Sequence, residues 1–482
     1  MSTLDCVLVY PVPTQDSPAK GTALSIFFLG AALEEKGYEV EYVDERIDSF
    51  KKLIDVMKDK PLCVGVSSMT GVQLIGAERA LRTAKKLCPQ TLTILGGVHA
   101  SIFPEQCIKE DYIDFVVVGE GEITLRELVK EIKGNKNFSE VKGIWWKKDG
   151  KIIQNLPRPF MDLKDLPYPV TKKSRKYYEI AAKTNEIIMP TSRGCPHKCS
   201  FCYNLVFHQR RWRPMPIDRF REFIFRLTSE FQFNHMLLSD DNISANLKRI
   251  EQVGEVMQAR NLTWDTSLRC DYCSEENLKA LEKGGCRVLL IGVETGSERI
   301  LQKVIGKDYK EAISTIKTCV INVSKMKNVI GYYSFMCNTP TETRKELLMS
   351  MDLADWIYKA DKKCRISFFT YAPYPGTEIY QIALKEGFNE PKNIAEWSQI
   401  GLSNKMDPIA ENLFYISGLR FRGKKGDTTS KNFPGAKRLL ILPFELLARL
   451  RWKTRFLGYF NLEKFIIKRL FRYASRKVRT KG

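Results

Sequence analysis

The chain has 482 residues, of which 44% are hydrophobic and 28% charged, so it has the composition of a globular protein with room for about two or three domains. No stretch approaches the roughly eighteen apolar residues needed to span a bilayer, and the densest run, 439–450, is interrupted by Pro443, Glu445 and Arg449. The net charge of +21 is uneven: segment 418–482 has 19 Lys and Arg against three Asp and Glu, a net charge of +16.

The cysteine content and the N-terminal sequence indicate the compartment. The 13 cysteines are scattered and odd in number, which favours free thiols in a reducing environment over a disulfide framework. The first residues, Met1 to Val7, lack the basic start of a secretory signal. We therefore expect a cytoplasmic protein.

The first 135 residues predict a doubly wound α/β domain. Short apolar runs alternate with amphipathic stretches, the pattern of a parallel sheet wrapped by helices. Ligands of such a sheet bind at the carboxyl ends of its strands. The predicted strands are 4–9, 40–44, 63–68, 92–95 and 115–118, and the predicted helices are 23–36, 76–87 and 123–133.

A hairpin and a linker follow this domain. Segments 141–146 and 151–154 flank the turn Asp149-Gly150, and the run 156–170 is rich in proline. The alternation then restarts with six further predicted strands, which indicates a partial (β/α)6 barrel with its chemistry on the loops after the strands. These strands are 187–191, 235–239, 263–268, 287–293, 329–336 and 366–371, and the predicted domain divisions are 1–138, 139–183, 184–382 and 383–482.

A cysteine trio follows the first barrel strand. Cys195, Cys199 and Cys202 are spaced Cys-x3-Cys-x2-Cys. Iron–sulfur clusters bind thiolates, and a cubane cluster normally takes four, so three close cysteines leave one iron open to an exchangeable ligand. A zinc site is the competing interpretation, but it would need His197 to complete a cramped tetrahedron. The pattern favours the cluster.

Polar residues follow the next three strands in register. Asp240 and Asp241 come after the second strand, Arg269 after the third and Glu294 after the fourth. Each could instead belong to a helix cap, since Asp, Asn and Ser are favoured at the position just before a helix. Their position after successive strands favours a ligand that carries an ammonium and a carboxylate group, which such side chains hold by charge-assisted hydrogen bonds.

These motifs together identify a family resemblance. The cysteine spacing, with Phe201 before the last cysteine, resembles the signature of radical S-adenosylmethionine enzymes. The loops 65–70, 96–101 and 118–122 are similar to the binding loops of the cobalamin (B12)-binding domain that precedes the radical domain in one branch of that family. The resemblance covers roughly residues 4 to 380, including the spacing of the segments 156–159 and 163–169.

The resemblance implies three cofactors: a [4Fe-4S] cluster, S-adenosylmethionine and cobalamin. By resemblance, the cysteine trio holds the cluster, Asp240 and Asp241 bind the amino group of S-adenosylmethionine, and Arg269 and Glu294 contact its carboxylate or ribose. The resemblance also implies that Phe201 contacts the same cofactor. The corrin-binding residues implied by the resemblance are Ser67, Ser68, Thr70, Gly96, Gly97, His99, Gly119, Glu120 and Gly121.

The activity implied is anaerobic radical chemistry, with an external electron donor such as a ferredoxin or flavodoxin. Cleavage of S-adenosylmethionine would give a 5′-deoxyadenosyl radical, and cobalamin would supply a methyl group to an unactivated carbon. Some members of the family cyclise or rearrange their substrates without methyl transfer. Methylthiotransferases and non-catalytic cobalamin or iron–sulfur proteins are weaker alternatives.

Two departures from related patterns matter, and the chain also has a second cysteine pair. No Asp-x-His-x-x-Gly motif is present, so cobalamin would lack a histidine below its cobalt, and His99 does not fit that role. The segment 338–343, Asn-Thr-Pro-Thr-Glu-Thr, stands where the family has Gly-x-Pro-Gly-Glu-Thr, so a loop near the substrate is altered. Cys270 and Cys273 could support an auxiliary cluster with Cys286, although buried free cysteines are the commoner case.

The basic C-terminal region interleaves apolar and cationic residues, as in 449–456 and 465–471. Helices of this composition can lie in a membrane interface, which suggests a lipid-linked substrate and peripheral association with an anionic membrane. A helical cap on the barrel with solvated basic faces explains the composition equally well. Nucleic acid is less favoured, because no RNA-binding module accompanies the charge.

Overall fold

A computed structural model describes residues 4–12, 21–243, 246–400, 408–421, 442–458 and 465–466. It contains two large sheets of mainly parallel strands wrapped by helices, which confirms the predicted α/β class. Much of the predicted basic segment 465–471 lies outside the described residues. Among the described helices, none is long and apolar enough to cross a membrane.

The first sheet has seven strands in the order β2-β1-β3-β4-β5-β6-β7. The first five are parallel, and the predicted hairpin adds β6 and β7 as antiparallel strands beyond β5. The strands are β1 (Cys6–Tyr10), β2 (Val40–Asp44), β3 (Cys63–Ser67), β4 (Leu92–Gly96), β5 (Phe115–Val117), β6 (Ile144–Lys148) and β7 (Lys151–Gln154). The helices are α1 (Leu24–Glu34), α2 (Phe50–Val56), α3 (Gln73–Leu87), α4 (Val98–Ile102), α5 (Pro104–Lys109), α6 (Gly121–Lys133) and α7 (Arg175–Lys183).

The second sheet has six parallel strands in chain order, as expected for a partial barrel. Its strands are β8 (Ile187–Met189), β11 (His235–Leu238), β12 (Thr263–Arg269), β13 (Cys286–Glu294), β14 (Ile330–Cys337) and β15 (Arg365–Thr370), and a small ribbon pairs β9 (Ser192–Arg193) with β10 (Arg213–Pro214). The helices between them are α8 (Ile217–Glu230), α9 (Leu247–Gln258), α10 (Glu275–Lys283), α11 (Ala312–Lys325) and α12 (Arg344–Ala360).

The chain after the barrel packs in two places. Helices α13 (Glu378–Lys385) and α14 (Ile394–Ser398) return to the first domain, where Trp397 joins the core beneath its sheet. Helices α15 (Pro408–Arg420) and α16 (Leu442–Thr454) lie beside β15, and Trp452 packs on Phe368 with ring centroids 5.8 Å apart. The returning segment therefore holds the first domain against the barrel.

Candidate functional site

A cavity lies between the two domains and is open to solvent. It lies beyond the carboxyl ends of β1 and β3, where the order 2-1-3 reverses direction and where doubly wound sheets bind their ligands. Its lining includes Gly65, Ser67, Gly96, Gly97, Gly119, Glu120, Gly121 and Glu122 from the first domain, and Ser192, Arg193, Tyr203, Phe207, His208, Ser239 and Asp241 from the second.

Glycines form much of the first domain's side of this cavity. Gly119 has φ +80° and no atom within 4 Å of the place where a Cβ would lie, so a side chain there would enter free space beside the cavity. Gly97 has φ +94°, and a Cβ on it would lie 2.6 Å from the Ser68 carbonyl oxygen. Backbone in this region of φ strongly favours glycine. The glycines thus let a ligand approach the backbone closely.

Three of the predicted corrin-binding residues lie behind this lining. His99 is fully buried, and its Nδ1 lies 3.1 Å from Thr70 Oγ1. Its ring packs on Phe103 and Trp397, and burial lowers its pKa to about 3, so it is neutral. Ser68 donates its backbone N–H to the Gly96 carbonyl. His99, Thr70 and Ser68 therefore support the loops, while Ser67 and the glycines face the cavity.

The cysteine trio lies on the loop after β9. Its three thiols are partly exposed, whereas the other ten cysteines are buried. Burial and the neighbouring Cys199 raise the pKa of Cys195, and they raise that of Cys202 to about 12. No three His, Cys, Asp or Glu side chains among the described residues converge on a single metal ion. A cluster does not require such convergence, because each thiolate binds its own iron.

Polar groups surround these thiols. Arg269 Nη1 lies 3.3 Å from Cys199 Sγ, and the Asn204 side-chain amide lies 3.6 Å from Cys202 Sγ. The same Arg269 side chain is fixed by Asp271 and by Asp308, whose Oδ1 is 2.7 Å from Nη2. Hydrogen bonds and cations near the sulfurs are the means by which a protein tunes a cluster.

The two adjacent aspartates have different surroundings. Asp240 is buried and accepts hydrogen bonds from the Thr191 backbone N–H at 3.1 Å, from Thr191 Oγ1 at 2.9 Å and from the Ser192 hydroxyl. Burial raises the pKa of Asp240 to about 6. Asp241 lines the cavity and accepts from the Gly194 N–H and the Tyr203 hydroxyl, each at 2.9 Å. Asp240 thus fixes the β8–β9 turn, and Asp241 braces the cysteine loop at the cavity edge.

Glu294 lies at the end of β13 with φ +70°, an uncommon conformation for a residue other than glycine. Its Oε1 is 3.3 Å from Nζ of Lys307, a buried lysine. Although burial opposes the charge, Glu294 and Tyr309 raise the pKa of Lys307 above its ordinary value. Phe201 packs on the apolar cluster of Ile300, Val304, Ile305 and Ile379.

A buried ion-pair cluster joins the two domains. Arg193, two residues before Cys195, places Nη1 3.0 Å from Glu120 Oε1 and Nη2 2.6 Å from Glu122 Oε1. Arg213 adds a 2.6 Å bond to Glu120 Oε1. Burial opposes ionisation of Glu120, but the guanidinium groups of Arg193 and Arg213 hold its pKa below the ordinary range. The loop after β5 is thereby tied to the cysteine loop.

Sequence reasoning missed Arg193 and the aromatic wall of the cavity. Tyr203, Phe207 and His208 follow the last cysteine and line the cavity. His208 is buried, burial lowers its pKa, and its Nδ1 has no hydrogen-bond partner among the described residues. The signal in the sequence was the density of aromatic and basic residues between 203 and 213.

The second cysteine pair, Cys270 and Cys273, does not lie beside Cys286 as the sequence suggested. Cys270 and Cys273 are buried near Cys319 of α11, and their thiols donate to the Gly292 and Arg269 carbonyls. Cys286 instead donates to the Val288 carbonyl on its own strand. The suggested grouping of Cys270, Cys273 and Cys286 is therefore not assembled in this structure.

Comparisons with known proteins match both domains. Residues 12–129 match the B12 binding domain model, and residues 189–354 match the radical SAM superfamily model. An uncharacterized methyltransferase of Pyrococcus horikoshii is 28% identical over 435 residues, 86% of this chain and 90% of that protein. The cytidylyl-2-hydroxyethylphosphonate methyltransferase of Streptomyces wedmorensis is 25% identical over 78% of this chain and 80% of its own.

A solved structure has the same fold. The cobalamin-dependent S-adenosylmethionine radical enzyme OxsB, with aqua-cobalamin and S-adenosylmethionine bound, superposes with a TM-score of 0.70 and 19% identity. The match covers 93% of this chain and 72% of that one. It therefore extends over both sheets.

Proposed function

The chain belongs to the radical SAM superfamily and carries an N-terminal B12-binding domain, and from this premise we propose that it transfers a methyl group to an unactivated carbon. The observation that carries the proposal is the shared cavity. Loops of the B12-binding domain line one side of it, Asp241 and the segment after the cysteine trio line the other, and Arg193 bonds directly to Glu120 across the boundary. Two cofactor sites that share a cavity can act on one substrate.

When bound, the cluster and S-adenosylmethionine supply the radical that removes a hydrogen atom, and cobalamin supplies the methyl group. Cys195, Cys199 and Cys202 would hold the cluster. Asp241, at the edge of the cavity, would accept hydrogen bonds from the ammonium group of S-adenosylmethionine, and Arg269 and Glu294 lie after the next two strands. Tyr203 and Phe207 would limit the access of water to the reacting groups.

The proposal is tested by mass spectrometry of the products of S-adenosylmethionine under anaerobic conditions. The protein carries a reconstituted cluster, and a strong reductant replaces the proposed ferredoxin or flavodoxin donor. We expect 5′-deoxyadenosine together with S-adenosylhomocysteine, the latter only when cobalamin is added. Deoxyadenosine alone would favour a cyclase or rearrangement enzyme, and neither product with an intact cluster would favour a binding protein.

A methylthiotransferase is the weaker alternative. It would need further cluster cysteines in the first domain, but Cys6, Cys63, Cys88 and Cys107 are all buried. Cys6 and Cys63 are paired residues on adjacent strands of the sheet. None of the four lines the cavity described above.

We expect the glycines that line the first domain's side of the cavity to be required for cobalamin binding. In Gly119→Leu, the side chain would enter the space that the corrin needs, so cobalamin binding should weaken at least about tenfold. Gly150→Leu is the matched control, because Gly150 lies in the β6–β7 turn with φ +76° and equally free space. Both variants should lose about 1–3 kcal/mol of stability to backbone strain. Equal cobalamin affinities, measured by absorbance titration, would contradict the assignment.

We also propose that the substrate is lipid-linked and that the protein acts at the surface of a membrane. Support comes from the net charge of +16 in segment 418–482 and from its interleaved apolar residues. The hydrocarbon part of a lipid also offers the unactivated carbon that radical chemistry is needed to modify.

A further inference from the structure

Helix α16 exposes one coherent face. At about 100° per residue, Leu442, Leu446, Arg449, Leu450 and Lys453 fall within about 100° of one another around the helix axis. Leu442, Leu446 and Leu450 are 42%, 54% and 57% exposed, and both cations are exposed. Three exposed leucines on one helix face form an apolar patch that ordinary surfaces avoid.

The opposite face of α16 is fixed to the barrel. Trp452 is buried and donates from Nε1 to Asp355 Oδ1 at 2.9 Å. Arg455, just after the helix, bonds to Asp352 at 2.5 Å and to Asp355 at 3.3 Å. The inward side of the helix thus has carboxylate partners for its charge, and its position is held independently of the outward side.

The outward cations are arranged differently. Arg449 and Lys453 form no ion pair with any residue that the structure describes, and they lie on the same face as the leucines, toward the C-terminal end of the helix. Phe456, 52% exposed, follows the helix. A helix face that combines exposed leucines with cations lacking an acidic partner matches the boundary between acyl chains and anionic headgroups.

We propose that the outer face of α16, defined by Leu442, Leu446, Arg449, Leu450 and Lys453, docks the enzyme on a bilayer that contains anionic lipids. The leucines would enter the headgroup boundary while the cations contact the anionic headgroups. A helix of 13 residues is about 20 Å long, too short to cross a hydrocarbon core of about 30 Å, so it would lie along the surface.

A second copy of the chain fits this face less well. In a symmetric dimer the same patch appears on both partners, so the interface would gather Arg449 and Lys453 of both copies with no acidic residue in the patch to pair with them. Like charges across an interface oppose association. Anionic headgroups provide the complementary charge that a second copy lacks.

This inference rests on the proposed function in one respect: docking would bring the cavity to a lipid-linked substrate. The docking itself requires no turnover. Loss of membrane binding would leave cleavage of S-adenosylmethionine in solution unchanged, since α16 lies outside the cavity lining. The two proposals can therefore fail separately.

The test is flotation of the full-length, cofactor-loaded protein with vesicles of phosphatidylcholine alone or mixed with phosphatidylglycerol. We expect binding only to the mixed vesicles, weakening as salt rises. The double variant Leu446→Ser with Leu450→Ser leaves the charge unchanged and should bind at least tenfold more weakly, because the apolar contribution is lost. Arg449→Gln and Lys453→Gln should each weaken binding about fivefold.

Two control variants lie on the first domain. Leu87→Ser removes a leucine that is 48% exposed at the end of α3, and Lys183→Gln removes an exposed cation at the end of α7. Neither should change vesicle binding. Thermal unfolding of every variant should match the parent, since each substitution is at an exposed position.

Several outcomes would overturn the proposal. No binding of the parent to mixed vesicles at physiological salt would do so. Binding that the leucine variant retains in full would assign the attraction to the basic charge elsewhere in segment 418–482. A concentration-dependent dimer that the leucine variant abolishes, without vesicle binding, would assign the face to a second copy.

Discussion

Arg193→Met is expected to destabilise the protein by about 3–5 kcal/mol, the usual cost of removing one partner from a buried ion pair. The change leaves Glu122 without the guanidinium that lies 2.6 Å away, and Glu122 is buried. Glu120 keeps its ion pair with Arg213, so most of the lost stability comes from the unpaired carboxylate of Glu122. Chemical denaturation monitored by fluorescence measures the change.

Two further variants separate this mechanism from general damage. Adding Glu122→Gln to Arg193→Met removes the unpaired buried charge and should recover part of the lost stability. Arg175→Met breaks the more exposed pair between Arg175 and Glu230 and should cost less than about 1 kcal/mol. A double variant no more stable than Arg193→Met would show that charge burial is not the cause.

The ion-pair cluster also makes the stability of the folded protein depend on pH. In the folded state Glu120 has a pKa below its ordinary value of 4.5, despite its burial. Its contribution to stability is therefore present above pH 4.5 and is lost as the pH falls through the lowered folded-state value. Arg193→Met should reduce this acid dependence, because one of the two guanidinium groups that lower the pKa is gone.

Cys199→Ala is expected to abolish cleavage of S-adenosylmethionine. Two remaining thiolates do not hold a cubane cluster in place, so bound iron and the deoxyadenosine product should both fall to background. Iron analysis, electron paramagnetic resonance of the reduced protein and product mass spectrometry measure the effect. Retention of a full cluster in this variant would contradict the assignment of the trio.

Cys273→Ala is the matched control for that variant. Cys273 is also a free cysteine, but it is buried beside Cys319 rather than on the cysteine loop. Its replacement should leave iron content and deoxyadenosine formation unchanged. A drop in iron equal to a whole cluster would instead revive the auxiliary cluster considered from the sequence.

The sheets could be predicted because their strands are short apolar runs between amphipathic helices. Val40–Asp44 was predicted to the residue, and the other parallel strands lie within a few residues of their predicted ends. The attachment of β6 and β7 to the first sheet was not predicted. Turn chemistry identifies a hairpin locally, whereas its pairing with β5 depends on contacts distant in sequence.

In the candidate site, too, local sequence patterns could be predicted, whereas contacts between distant residues could not. The spacing of the cysteines and the loops at the strand ends could be read directly, since they are local patterns. Asp240 and Asp241 could not be told apart, because adjacent carboxylates differ only in what surrounds them after folding. The bond from Arg193 to Glu122 joins residues 71 positions apart, so no local pattern indicates it.

The return of the chain to its first domain limits how this enzyme can be rearranged. Trp397 packs against Phe103 with ring centroids 4.7 Å apart, so residues from before and after the barrel complete one core. The B12-binding domain is therefore not an interchangeable module. A chimera that borrows only the first 138 residues from a relative would meet an ill-matched surface on α14, and the smallest unit that can be exchanged runs through residue 400.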